Sequence, residues 1–219
     1  MSPGVRTYVK EHLALFLFVC VLLTMGVVFG ALLVGALSPE QKQDMSRFLS
    51  SYFHYIHQNG TMGNTLSFWD VYSQHMKWML LIWLLGLSVI GLPFIWVLDF
   101  LKGVLLGFTI AYLAGELSWK GLLFALVSVA PQNIVLLPAI VITSVMGMSF
   151  TIFLYRHRLL SGDRSGSVMQ QLVQYTSVVA SLGILLAGVA LFEVYASPLM
   201  MQRVSSMLIS VLDEAASFL

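Results

Sequence analysis

The sequence predicts an all-α, polytopic membrane helical bundle, folded as a single integral membrane domain over residues 1–219. Three observations predict it. Hydrophobic residues make up 58% of the 219 and charged residues 10%, against about 45–50% and about 25% in soluble globular chains. Mean hydropathy is +0.89. Apolar runs near the length that spans a bilayer's hydrocarbon core recur along the chain. The 11 Lys and Arg and 10 Asp and Glu side chains are too few to cover a soluble surface of this size, which disfavours a disordered chain, a coiled coil or a soluble enzyme.

Five spans are expected. The first covers 13–37, behind Arg6 and Lys10; its apolar core exceeds the roughly 7–15 residues of a signal peptide, so it reads as an uncleaved helix. The second covers 78–98 and the third 101–117, with Asp99, Phe100 and Lys102 at the tip of a tight hairpin between them. The fourth region, 121–154, would reach about 51 Å as one straight helix, past a hydrocarbon core of about 30 Å. It must bend or break, and Pro131 marks the place. The fifth span covers 175–195.

Two further helices are expected on the outer side. Ser38-Pro39-Glu40-Gln41 combines a Ser N-cap, a Pro at the first helical position and a Gln three residues on, the pattern of a capping box. Met45, Phe48, Leu49, Tyr52, Phe53 and Ile56 then recur on one stripe of a helix over 39–57. Ser197-Pro198 opens a second such pattern over 198–218, with Met200, Val204, Met207, Leu208, Val211, Ala215 and Phe218 on one face. Each helix either lies in the headgroup layer or presents a docking surface to a protein.

Orientation follows the Lys/Arg distribution. Arg6, Lys10, Lys102, Arg156, Arg158 and Arg164 fall on the N-terminal side, and Lys42, Arg47, Lys77, Lys120 and Arg203 on the other. The cluster Arg156-His157-Arg158 at a span end tips the balance to an N-terminus inside and a C-terminus outside.

Little in the chain points to chemistry. Net charge is +1, which gives no electrostatic case for nucleic acid. No H-E-x-x-H, G-x-S-x-G or P-loop pattern is present, and the expectation is a non-enzyme with no cofactor and no metal. His54 and His57 are spaced like ligands on one helix, but no third ligand follows at suitable spacing; His75 is expected in the loop beyond. The lone Cys20 reads as a packed side chain. Asp99 with Lys102, and Glu116 with Lys120, read as surface ion pairs, and Glu193 as an acid near water at a span end. Gly26-x-x-x-Gly30 and Gly103-x-x-x-Gly107 permit close helix approach within the bundle or between copies, so a homo-oligomer is possible.

One polar site stands out. Pro131, Gln132, Asn133 and Pro138 put two amides between two prolines in an apolar stretch. Non-helical backbone at membrane depth must be buried in protein or line a cavity, and the amides can serve its unpaired groups. Broken helices of this kind act as structural kinks or as substrate sites in transporters.

Four strings, in order along the chain, carry a resemblance. They are F-x-F-V-x-V-L-L-x-M-G-V-x-F-G-A from Phe16, L-I-W-L-L-G-L-S-V-I-G-L-P from Leu81, F-L-K-G-V-L-L-G-F-T from Phe100 and S-V-A-P-Q-N-x-V-L-L-P from Ser128. Together they resemble the stage II sporulation protein M family of endospore-forming Firmicutes, over essentially the whole chain. Relatives in the wider family often carry P-H-G and a following glutamate at the fourth-span break. Pro131-Gln132-Asn133 stands there instead, with Leu136 or Leu137 at the position of the acid, a departure that puts in doubt an ion- or proton-linked role carried over from the wider family.

The resemblance implies a non-enzymatic scaffold in the mother-cell septal and engulfing membrane. It would anchor peptidoglycan hydrolases, an amidase/endopeptidase and a lytic transglycosylase, during engulfment. The residues expected to dock them lie on the outer helix and loop: Arg47, Tyr52, His54, Tyr55, His57 and Trp69. The competing expectation is a transporter or channel subunit that uses the Pro131-Gln132-Asn133 break as a polar site.

Overall fold

A computed structural model of the chain describes residues 12–59, 67–88, 90–160 and 165–216, and it is all helical. The side chains described exclude those of 52–59, 117–120, 156–160, 165–167 and 197–216, among a few others. The helices are α1 (Leu13–Gly35), α2 (Pro39–Asn59), α3 (Phe68–Gly86), α4 (Gly91–Ser128), α5 (Ala130–Leu160) and α6 (Ser165–Ala216). Four contain a stretch long and apolar enough to cross a membrane: Leu13–Gly35, Gly91–Glu116, Ala130–Tyr155 and Val168–Ala196. Their outward faces carry large apolar side chains such as Leu17, Leu32, Ile134 and Ile184, which are 66 to 77% exposed. Apolar surface so extensive fits hydrocarbon, not water.

The closest packing in the molecule is between α1 and α4, and it is made by glycine. A Cβ at Gly26 would land on the Phe100 carbonyl oxygen and one at Gly30 on that of Val104. Reciprocally, a Cβ at Gly103 would land on the Leu23 carbonyl oxygen and one at Gly107 on that of Val27. The two GxxxG pairs thus meet each other inside one chain, where the missing side chains let backbones touch. Residue numbers rise together along the seam, so α1 and α4 are parallel.

Parallel neighbours in one chain need a return pass between them, and α3 is that pass. Trp83 Nε1 donates to Thr176 Oγ1 at 3.3 Å near one end of α3, while His75 meets Glu193 near the other, so α3 and α6 are antiparallel. Asp99 pairs with Ser144 and Trp96 with Met148, which sets α5 antiparallel to α4. Phe150 stacks on Tyr175 at 5.8 Å, the lower register point of an antiparallel α5 and α6. Helices α1, α4 and α6 therefore run one way and α3 and α5 the other. The start of α1 and the turn at 87–90 share the lower end; α2, the turn at Val129 and the extension of α6 beyond Ala196 share the upper end.

Several expected boundaries are corrected. Among the described residues four helices meet the length and hydropathy of a span, where five spans are expected. The run 78–98 is divided: α3 stops at Gly86 and α4 starts at Gly91. Gly91 N donates to Ser88 O at 3.0 Å to close the turn, and Pro93 sits in the first turn of α4, where a missing N–H costs nothing. Helix α4 then passes unbroken through Asp99 and Lys102, so no hairpin tip exists there. Apolar content continues across the real turn and hides it, whereas the two polar side chains at 99 and 102 lie within a continuous helix. The region 121–154 is shared between the end of α4 and the span of α5, with the junction at Val129.

The capping box at α2 forms as its residues dictate: Ser38 N donates to Gln41 Oε1 at 3.0 Å, and Gln41 N to Ser38 Oγ at 3.3 Å. No separate C-terminal helix follows. Helix α6 runs 52 residues, straight through Ser197 and Pro198. A proline removes one backbone donor, and a helix already extended through a whole span continues past it.

The core wraps α5. Tyr175 of α6, 1% exposed, is wedged between α3 and α5; its hydroxyl would lie 2.6 Å from a Cβ at Gly86 and 2.8 Å from one at Gly147. Glycine at both positions makes that slot. Thr151 Oγ1 lies 2.8 Å from Gly86 O and 2.9 Å from Gly147 O, serving the carbonyl left free where α3 ends.

Replacing Gly103 by leucine should separate α1 from α4 and destabilise the fold by about 3 kcal/mol. Gly115→Leu, at a position with open space around its Cα, should be near neutral. Thermal unfolding of the purified full chain in detergent checks the contrast; equal midpoints for the two variants contradict the seam.

Candidate functional site

Ionisable side chains collect inside the upper half of the bundle. His75 of α3 is 8% exposed, in a helix and not in the loop expected for it. Its Nε2 lies 2.8 Å from Glu193 Oε2 of α6. Gln132 of α5 closes the group: with its amide nitrogen turned to the carboxylate, it donates to Oε1 and Oε2 of Glu193 at 3.0 and 2.9 Å. Three helices are tied at one carboxylate. Glu193, three residues from the end of its candidate span at Ala196 and partly exposed, is also the hub of a partly buried network.

The Pro131 break explains how Gln132 reaches it. Pro131 is in the first turn of α5, where no N–H is required. Asn133, 9% exposed, donates from Nδ2 to Val129 O at 2.7 Å, and its backbone N–H donates to the same oxygen. Asn133 thereby serves the carbonyl at the joint of α4 and α5, which leaves Gln132 free to face α6. Pro138 stands within α5 and lines an apolar groove with Cys20, Thr24 and Val27 of α1. Of the four residues expected at the break, Gln132 enters the ionisable cluster and Asn133 holds the backbone.

Below the cluster lie Lys102 and Asp99. Lys102 Nζ is 5.5 Å from the centre of the Trp78 ring, a cation–π distance, and it is within electrostatic reach of Glu193. Asp99 is fully buried. Ser144 donates its hydroxyl to Asp99 Oδ1 at 2.7 Å, while Oδ2 has no hydrogen-bond partner. These two side chains do not form the surface ion pair expected from their spacing. Further down, a cavity of about 420 Å³ opens at the lower end between α1, α5 and α6, lined in part by Ser149, Gln171, Gln174 and Tyr175.

The expected docking residues lie elsewhere. Arg47 is exposed on α2, 3.9 Å from Asp44, an ion pair too solvated to matter for stability. Tyr52, His54, Tyr55 and His57 belong to α2 by backbone, but their side chains lie outside the described ones. Trp69 is exposed at the start of α3, its ring 5.4 Å from Phe68 and 6.2 Å from Tyr72. Among the described residues no three His, Cys, Asp or Glu side chains converge as a metal site.

Sequence reading missed the His75, Glu193 and Lys102 cluster because its members are up to 118 residues apart. The signal available was each one's isolation in an apolar helix, where ionisable groups face the interior and find one another.

His75→Leu and Glu193→Leu should each destabilise the chain by about 1–3 kcal/mol, since each leaves the other's polar atoms unmade. The double variant should lose less than the sum. A double-mutant cycle on thermal midpoints measures this; strict additivity contradicts the contact.

Comparison with curated proteins and with solved structures gave no match. A model of the family described as Stage II sporulation protein M matches residues 19–198. That stretch runs from α1 into α6 and takes in the glycine seam, the Pro131 joint and the ionisable cluster. The chain belongs to the Stage II sporulation protein M family, as a sporulation-related membrane protein.

Proposed function

We propose that the chain is a non-enzymatic membrane scaffold of the engulfment machinery, which anchors peptidoglycan hydrolases, an amidase and a lytic transglycosylase, at the septal and engulfing membrane. The observation that carries this reading is the family match over 19–198, joined to an upper end from which α2 and the last turns of α6 extend beyond the candidate spans. Helix α2 packs against α6, and Tyr112 donates from its hydroxyl to Lys42 O at 3.5 Å, so the platform is fixed to the bundle. In this reading α3 crosses the lipid as a fifth pass, the N-terminus is cytoplasmic, and the upper end faces the wall.

Docking uses α2 and the start of α3. Arg47→Glu combined with alanine at Tyr52, Tyr55 and Trp69 should reduce hydrolase co-purification at least about tenfold, the equivalent of roughly 1.4 kcal/mol, with membrane insertion unchanged. Retained co-purification contradicts the surface. In a chain lacking Cys20, Lys42→Cys and Asp213→Cys should label with a membrane-impermeant thiol reagent from outside intact cells, and Ser161→Cys should not. The reverse pattern inverts the bundle and removes the surface from the wall.

A second reading, a transporter or channel subunit, is favoured by the Glu193 carboxylate held against Gln132 at the helix joint. Leucine at Gln132 and Asn133 separates the two. A transporter loses flux while hydrolase localisation persists; a scaffold has no flux to lose.

A further inference from the structure

The formal charges inside the bundle do not cancel. Among the described residues, Lys102 of α4 is the one ammonium there. Two carboxyl groups accompany it: Glu193 of α6, bonded to His75 and Gln132, and Asp99 of α4, fully buried with Oδ2 unpartnered. Two carboxylates and one ammonium leave a net negative charge, and uncompensated charge in a membrane-embedded core is costly.

Among the described residues, nothing nearby offsets it. On α3, Asp70 and Lys77 are exposed, and on α2 so are Lys42, Asp44 and Arg47. The α5 face contributes neutral groups, Gln132, Asn133, Thr143 and Ser144. Helix α1 has no ionisable Asp, Glu, Lys, Arg or His between Leu13 and Gly35. Among the described residues His75 is therefore the remaining basic group in the interior, and its Nε2 already sits against a carboxylate oxygen.

We propose that His75, Asp99, Lys102 and Glu193 form a proton-binding site, in which one exchangeable proton makes the interior neutral. The proton has two seats with the geometry to hold it. One is the 2.8 Å contact between His75 Nε2 and Glu193 Oε2. The other is Asp99 Oδ2, whose sister oxygen is occupied by Ser144. Lys102, one turn above Asp99 on α4 and within electrostatic reach of Glu193, couples the two seats. When the proton leaves, the cluster gains a negative charge, at the tie of α3, α5 and α6 if it leaves the His75–Glu193 seat and on α4 if it leaves Asp99. The site depends on neither the scaffold nor the transporter reading, and its loss would leave both standing.

The test is pH-difference infrared spectroscopy on the full chain in lipid nanodiscs. Two backgrounds isolate the signals without touching the cluster: one with every glutamate except Glu193 replaced by glutamine, one with every aspartate except Asp99 replaced by asparagine, each with the remaining acid isotope-labelled. At least one labelled group should exchange its carboxylate signal for a protonated carboxyl signal in a single transition while the helices stay folded by circular dichroism. His75→Gln should displace the midpoint of that transition. Two labelled acids that each stay in one form at every pH where the fold persists overturn the proposal, as does a midpoint unmoved in a folded His75→Gln chain.

Discussion

Everything in this bundle follows from two backbones in contact. Lipid offers no hydrophobic drive for helices to associate, so close van der Waals packing must hold them, and Gly26, Gly30, Gly103 and Gly107 supply it by bringing α1 and α4 together along a parallel seam. Parallel direction is the consequential part. It obliges the chain between the two helices to come back through the bundle, and the segment that does so, α3, contains no stretch that meets the length and hydropathy of a span. A polar helix inside a membrane bundle then needs partners for its polar side chains, and α5 and α6 provide them.

The ionisable cluster is in this sense a result of topology. His75 is carried inward by the return pass, Glu193 comes from the far end of the longest helix, and Gln132 is presented by a joint that Pro131 permits and Asn133 stabilises. Each of the three is anchored by an element with a separate structural reason to be where it is. Below them, Tyr175 fills the slot opened by Gly86 and Gly147, so α3 is clamped to α5 and α6 at both ends, by packing at the lower and by polar contacts at the upper.

Composition made the fold class legible, and local rules made several elements legible: α1 from its apolar length, α2 from the Ser38 to Gln41 capping box, and the joint from Pro131. Hydropathy failed where a turn was as apolar as its flanks. Gly86, Gly91 and Pro93 punctuate that turn and outrank the polar pair at Asp99 and Lys102, which a window of hydropathy reads as a loop. It failed again at Pro198, since helix continuity there is decided by the helix already formed upstream. The polar site was half legible. The amides at 132 and 133 are adjacent in sequence and conspicuous, whereas the carboxylate partner of Gln132 lies some sixty residues on and is reached only through the antiparallel register of α5 and α6.

Helix α6 has no joint between Ser165 and Ala216. At 1.5 Å per residue it is a rod of about 78 Å, longer than the membrane is thick, with Tyr175 near one end of its enclosed part and Glu193 near the other. Its last twenty residues, 197–216, extend past the candidate span that ends at Ala196, so the span and that extension are one continuous helix.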